Sequence, residues 1–133
     1  MKAYISCPIP VAQSTLELVA IKLGDLGHSP TWWARGTAYT EDKLREADIF
    51  VIMSMSGGNT FDYSLDSMTA GCKKELELAK SLNKPLYMAY WKNGTVLNIY
   101  PIVMKHLDDG RVLGQSGVYL QPAERIINNY QIY

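Results

Sequence analysis

The sequence predicts a single α/β domain over residues 1–133. We expect a three-layer, Rossmann- or flavodoxin-like open sheet of four to five mostly parallel strands, with helices on both faces. Three short apolar runs, at 3–7, 48–53 and 86–90, are typical of buried parallel strands, because both faces of such strands are covered. Stretches whose apolar residues recur with helical period separate these runs.

The predicted elements alternate along the first two thirds of the chain. In order they are strand 3–7, helix 9–26, strand 28–35, a short helix 40–47, strand 48–53, a helix within 66–84 and strand 86–90. Pro8 ends the first strand, and Thr40 is placed to cap the short helix. The run 54–67 is a long polar loop, and loops of this length in compact domains are often functional.

The last third of the chain carries weaker patterns. The dipeptide Asn93-Gly94 predicts a tight hairpin turn, so residues 96–100 are expected to return antiparallel to the preceding strand. Residues 118–120 are a candidate last strand, and Pro122 opens a candidate C-terminal helix.

The balance of charges argues against two classes of partner. Thirteen basic residues offset thirteen acidic ones, without a block of like charge, so we expect neither a nucleic-acid polymer nor a membrane surface as partner. No apolar run reaches the roughly 20 residues of a membrane span. Two cysteines cannot form a disulfide framework, which indicates a reducing cytoplasm. Two histidines without ligand spacing predict no metal site, and no cofactor is expected.

Glu75 is the one charged residue near the middle of the buried arc of the helix within 66–84. At about 100° per residue, that arc holds Gly71, Cys72, Glu75, Leu76, Leu78, Ala79 and Leu82. A buried carboxylate is costly unless it is paired or has a task. One interpretation makes Glu75 a structural carboxylate that caps backbone N–H groups or pairs with Arg35 or Arg45. The other makes it a group that binds a sugar hydroxyl or attacks an anomeric carbon.

Further candidates lie where ligands of open parallel sheets bind, beyond the carboxyl ends of the strands. The ligand-binding candidates at this edge and at the start of the helix are Ser6, Cys7, Pro8, Trp33, Asp66, Ser67, Thr69 and Gly71. Backbone N–H groups at a helix start favour anions, and nearby hydroxyls add donors. Of the neighbours Trp32 and Trp33, one is expected in the core and the other against a base, and we assign Trp33 to the ligand.

Three motifs resemble the nucleoside 2-deoxyribosyltransferase superfamily. They are Met-Lys-Ala-Tyr-Ile-Ser-Cys-Pro-Ile at 1–9, Ala-Asp-Ile-Phe-Val-Ile at 47–52, and the run 69–85, with its Gly, three residues, Glu, three residues, Ala, four residues, Lys-Pro spacing. The superfamily includes deoxynucleoside 5′-monophosphate N-glycosidases and small, often phage-borne domains of unknown function. The resemblance covers roughly the first 90 residues, and the order and spacing of the motifs agree.

The resemblance implies cleavage of the N-glycosidic bond of a nucleoside or nucleotide, or transfer of its deoxyribosyl group. Glu75 matches the nucleophile that takes up the deoxyribosyl group, and Asp48 matches the proposed proton donor to the leaving base. Tyr4 matches a tyrosine near the nucleophile. Members of the family tend to complete their site with a neighbouring subunit, so we expect a homo-oligomer. The apolar, aromatic end of the chain, 127–133, is suited to such a contact.

Two departures from the family pattern favour a second hypothesis. Cys7 stands where the family usually has Gly, and Thr69 stands where its transferases tend to have Asp, a role that Asp62 or Asp66 could fill. The chain could therefore be a non-catalytic protein that senses or sequesters a nucleotide-derived ligand. A third hypothesis is an interaction module that uses the aromatic tail.

Overall fold

The computed structural model describes residues 1–55, 60–62, 69–106 and 112–116. These residues form seven strands and three helices. The elements are β1 Lys2–Ser6, α1 Gln13–Asp25, β2 Ser29–Thr31, α2 Asp42–Glu46, β3 Ile49–Ile52, β4 Thr60–Asp62, α3 Ala70–Ser81, β5 Leu86–Lys92, β6 Thr95–His106 and β7 Val112–Ser116. The predicted strand at 118–120 and the helix predicted from Pro122 lie outside the described residues.

The strands form one mixed sheet in the order β2-β1-β3-β5-β6-β7-β4. The first four are parallel to one another, and the last three pairings are antiparallel. The predicted α/β class and parallel half are therefore confirmed. The antiparallel half is longer than expected, and β4 lies inside the predicted loop 54–67. This short strand forms by pairing with β7, more than 50 residues away, and no pattern in its own three residues indicated it.

The core consists of two clusters, one on each face of the parallel strands. Alternate residues of β1 and β3 join α1 in the first cluster, whose members include Ala3, Ile5, Leu16, Val19, Leu23, Ile49 and Val51. The intervening residues join α3 in the second, which includes Tyr4, Phe50, Ile52, Cys72, Leu76 and Ala79. Because side chains alternate along a strand, Tyr4 and Ser6 share the face that α3 covers. This alternation brings β1 hydroxyls to the helix that carries Glu75.

Several boundaries differ from the predicted ones. Helix α1 begins at Gln13 rather than near residue 9, because a turn in which Val11 N donates to Pro8 O (2.9 Å) precedes it. Strand β2 has only three residues, so 32–35 leave the sheet. The prediction that Thr40 caps α2 is wrong: Glu41 occupies the cap position, without a side-chain cap bond.

The hairpin between β5 and β6 is confirmed. Asn93 and Gly94 have φ angles of 52° and 74°, as the tight turns that suit hairpin twist require. Strand β6 then continues through Pro101, which pairs with Tyr87 of β5, while pairing with β7 begins one residue later at Ile102. At Pro101, therefore, β6 pairs with a described strand on one side only, and such an edge position in a sheet tolerates proline.

No helix among the described residues is both long and apolar enough to cross a membrane.

Replacing Leu76 with Ala is expected to lower the free energy of unfolding by about 2–5 kcal/mol, because Leu76 is fully buried between α3 and the sheet and leaves a cavity. Urea denaturation measures the change. Leu18→Ala on the exposed side of α1 is the matched control, with an expected loss of less than about 1 kcal/mol. Equal losses in the two variants would contradict the packing described above.

Candidate active site

Helix α3 places Glu75 one turn inside its start. Thr69 is the N-cap residue: its Oγ1 accepts a hydrogen bond from Cys72 N (3.3 Å), and its carbonyl accepts one from Lys73 N (3.0 Å). Gly71 and Glu75 lie four residues apart and therefore on the same face of the helix. Glu75 is only 8% exposed, whereas Gly71 in the first turn and Leu82 at the C-cap are exposed, contrary to their predicted burial, because the ends of the helix extend beyond the packed interface. The amphipathic pattern of the helix thus positioned Glu75 as predicted.

Three hydroxyl groups surround the Glu75 carboxylate. Tyr4 Oη donates to Oε2, Ser6 Oγ donates to Oε1 at 2.8 Å, and Tyr39 Oη donates to Oε2 at 3.4 Å. These bonds offset much of the cost of burying a carboxylate.

Pairing of Glu75 with an arginine, the structural alternative, is wrong for both candidates. Arg45 makes an ion pair with Glu41 (3.6 Å), and Arg35 donates to backbone carbonyls. The hydroxyl partners leave the negative charge of Glu75 without compensation from either guanidinium.

The carboxylate and the two phenols influence one another's protonation. Burial raises the pKa of Glu75 above its ordinary value, while the bonds from Tyr4, Ser6 and Tyr39 act in the opposite direction. Burial and the nearby charge of Glu75 raise the pKa of Tyr4, and they raise the pKa of Tyr39 to about 12. Both phenols therefore keep their protons at neutral pH and remain donors.

Glu75 faces a cleft of about 250 Å³, open to solvent, at the carboxyl edge of the parallel strands. The cleft is lined by Tyr4, Ile5, Cys7, Leu16, Trp32, Trp33, Arg35 and Glu75. Arg35 Nη2 donates to Val11 O (2.8 Å), Pro8 O (3.3 Å) and Cys7 Sγ (3.5 Å). One guanidinium thus holds the loop between β1 and α1 in place and adds a positive charge to the lining of the cleft.

Cys7 is a neutral part of this wall. Burial raises the pKa of the thiol to about 11, although the neighbouring Arg35 guanidinium acts to lower it. At neutral pH the sulfur is therefore a thiol rather than a thiolate, and it is a weak nucleophile. Cys7 narrows the cleft where a Gly would leave it open.

Trp33 lines the cleft, and the neighbouring Tyr39 contacts Glu75 without being part of the lining. Trp33 and Tyr39 pack edge to face, with ring centroids 6.0 Å apart and an interplanar angle of 75°. Trp33 Nε1 donates to Thr37 O (3.2 Å), which orients the indole. Trp32 also lines the cleft while packing against the α1 cluster, so the core side of the tryptophan pair is Trp32.

The structure brings together Tyr4, Ser6, Cys7, Trp33 and Glu75, five of the residues predicted for the site. Pro8 is buried in the adjoining loop, and its carbonyl accepts from Arg35. Asp66 and Ser67 lie outside the described residues.

Asp48 requires a correction, because it is not at this site. It immediately precedes β3 at the amino edge of the sheet, where its Oδ2 accepts from Lys2 N (2.8 Å). Ser6, which contacts Glu75, is four residues further along β1, or about 13 Å at the usual rise of a strand. The carboxylate of Asp48 is too far away to protonate a base held against Glu75.

Sequence reasoning missed Tyr39. It follows β2 by eight residues in an irregular segment, and no motif marks it. Its position after a strand's carboxyl end was the only available signal, and many residues of the chain share that signal.

Among the described residues, no group of three His, Cys, Asp or Glu side chains could hold a metal ion.

The chain matches no protein-family model, no curated protein and no solved structure. The resemblance to the deoxyribosyltransferase superfamily therefore stays a prediction.

Glu75→Gln is expected to stabilise the protein more at pH 7 than at pH 5. The folded protein retains a proton on Glu75 at pH values where the unfolded chain has lost it, so wild-type stability falls as pH rises from the unfolded pKa towards the raised folded pKa. For one proton, the free energy of unfolding changes by at most about 1.4 kcal/mol per pH unit. The neutral amide removes this contribution.

Urea denaturation between pH 4.5 and 8 measures this difference. Glu77→Gln, at an exposed position of the same helix, is the control and should not show a pH-dependent gain. A Glu75→Gln effect that is the same at every pH would refute the raised pKa of Glu75.

Proposed function

We propose that this chain acts on the N-glycosidic bond of a deoxynucleoside or deoxynucleotide, with Glu75 as the nucleophile. The observation that carries the proposal is the buried carboxylate of Glu75, held by the hydroxyls of Tyr4 and Ser6 at the inner end of a cleft. A carboxylate that is largely buried and has no arginine partner among the described residues is costly for stability, and such costs are typical of functional sites.

The chemistry would proceed in two steps. The ionised Glu75 attacks C1′ as the bond to the base breaks, which forms a glycosyl ester on the protein. Water then releases the sugar, or a second base takes it up, which distinguishes hydrolysis from transfer. The bonds from Tyr4 and Ser6 hold the carboxylate in one orientation, so the attacking oxygen is positioned before the ligand arrives.

The walls of the cleft suit the parts of such a ligand. The Trp33 indole offers an aromatic edge and face for a flat base, and Arg35 places positive charge beside the β1–α1 loop, where an anionic group would be favoured. These groups support a nucleotide-like ligand.

The wider expectations belong to the same proposal. We infer a three-layer doubly wound arrangement, supported by the packing of α1 and α3 into separate core clusters. A cytoplasmic location is supported by Cys7 and Cys72, which are both free thiols. The homo-oligomer is supported by the family resemblance alone.

Glu75→Gln and Glu75→Ala are expected to abolish base release, by at least about 10³-fold, because the nucleophile is removed. The measurement is chromatography of free base after incubation with a panel of deoxynucleosides and their 5′-monophosphates. Glu77→Gln on the exposed side of α3 is the matched control and should retain activity. Unchanged turnover in Glu75→Gln would refute the proposal.

A second function, binding of a nucleotide-derived ligand without cleavage, is favoured by Cys7. This residue lines the cleft at the position where the resemblance to the family implies Gly. A binder would leave the ligand intact.

A thermal-shift screen with nucleoside 5′-monophosphates, followed by chromatography of the recovered ligand, separates the two functions. Binding alone should add about 2.7 kcal/mol of stability at ~100 times the dissociation constant and return the ligand unchanged. Release of free base in the same tubes would exclude the binding-only function.

A further inference from the structure

We infer that Tyr39 donates the proton to the departing base. When the ligand binds, the Tyr39 hydroxyl transfers its hydrogen bond from the Glu75 carboxylate to the ligand. The inference rests on the proposed function and names a further catalytic residue for it. Cleavage of an unactivated glycosidic bond to a base needs a proton donor on the side of the leaving group. With Asp48 at the amino edge of the sheet, that donor has to come from another residue.

The groups that line the cleft or contact Glu75 differ in whether they can reach a base. Tyr4 is only 1% exposed and bonded beneath the carboxylate, so its proton faces the protein interior. The Cys7 thiol donates to Pro8 O (3.6 Å), and Arg35 is held by the carbonyls of the same loop. Ser6 is fully buried and bonded to the carboxylate, so Tyr39 remains as the described hydroxyl that contacts Glu75 and is also exposed to solvent.

The contacts of Tyr39 suit a group that changes partner. Its ring is 49% exposed and packs edge to face on Trp33, the wall that we assign to the base. Its bond to Glu75 Oε2 is 3.4 Å long, whereas the bond from Ser6 to Oε1 is 2.8 Å. A hydrogen bond of this length is weak, so a ligand atom can replace the carboxylate as the acceptor at a small cost in free energy.

The proton balance closes over the two steps. Glu75 forms a bond to C1′ while the electron pair of the C1′–N bond passes to the base nitrogen, and the Tyr39 O–H proton neutralises that nitrogen. Water then attacks C1′ of the glycosyl ester, and its proton returns to the Tyr39 phenolate. The products are free base and free sugar, with Glu75 ionised and Tyr39 protonated again. No further reactant is needed.

The loss of charge on Glu75 during the reaction would favour the proton transfer from Tyr39. Burial is the largest cause that raises the pKa of Tyr39 to about 12, and the charge of Glu75 and its bond to the phenol are the next two. Formation of the glycosyl ester removes that charge, so the phenol becomes a stronger acid as the base departs.

The test compares two substrates of the same base, 2′-deoxyguanosine 5′-monophosphate and its 7-methyl derivative. The methylated guanine departs as a neutral species and needs no acid, whereas the unmodified base needs one. If the wild type accepts only pyrimidines, 2′-deoxyuridine 5′-monophosphate and its 5-fluoro derivative form the equivalent pair, because fluorine makes the base a better leaving group. Spontaneous base loss is subtracted in each case.

Tyr39→Phe retains the ring contact with Trp33 and removes only the hydroxyl. We expect kcat/KM to fall by about 10²-fold or more for the unmodified substrate, and by much less for the activated one. Tyr87→Phe is the matched control, because Tyr87 packs against the α1 cluster away from the cleft, and both substrates should be cleaved as by the wild type. Melting curves of the three proteins check that they are equally folded.

Other results would overturn the inference in distinguishable ways. Equal losses for both substrates in Tyr39→Phe would show that the hydroxyl positions Glu75 rather than protonating the base. No loss for either substrate would show that the hydroxyl is dispensable. In both cases, loss of all activity in Glu75→Gln would leave the proposed function standing. A wild type that releases base from none of the substrates would overturn the proposed function and this inference together.

Discussion

The site depends on the hydrogen bonds between the Glu75 carboxylate and the hydroxyls of β1. Tyr4 and Ser6 are 71 and 69 residues from Glu75 in the chain, so these bonds fix helix α3 against the central part of the sheet. A buried carboxylate without such partners costs several kcal/mol in real proteins. The position of α3 is therefore constrained at one point by polar contacts and elsewhere by the packing of Leu76, Ala79 and Cys72.

The residues around the carboxylate are also held in place by hydrogen bonds and ring contacts. Thr69 caps α3 and sets where its first turn begins, and Arg35 gathers the carbonyls of Pro8 and Val11, so that the loop after β1 has one shape. Trp33 is oriented through Thr37 and supports the ring of Tyr39. Hydrogen bonds and ring contacts thus hold the residues around Glu75, and the Tyr39 hydroxyl makes the longest of the three bonds to the carboxylate.

Burial gives the groups of the cleft distinct chemical roles. It raises the pKa values of Glu75, Tyr4, Tyr39 and Cys7 alike, but the consequence depends on the group. The phenols and the thiol stay neutral, so they act as donors or as walls. For the carboxylate, burial disfavours the ionised form, which is the form that can attack carbon, and the hydroxyl donors act in the opposite direction.

The residue pattern was enough to predict the parallel half of the sheet, the hairpin at Asn93-Gly94 and the placement of Glu75 on the buried side of its helix. Each of these rests on contacts or periodicities within a few residues, where pattern and structure are directly linked. The groups that contact Glu75, the remoteness of Asp48 and the proximity of Tyr39 became visible in the folded chain. Those facts depend on how segments tens of residues apart are brought together. The sequence pattern around a buried carboxylate is the same whether its partner is a hydroxyl or a guanidinium. Strand β4 is a further such case, because its pairing with β7 rather than its own residues makes it a strand.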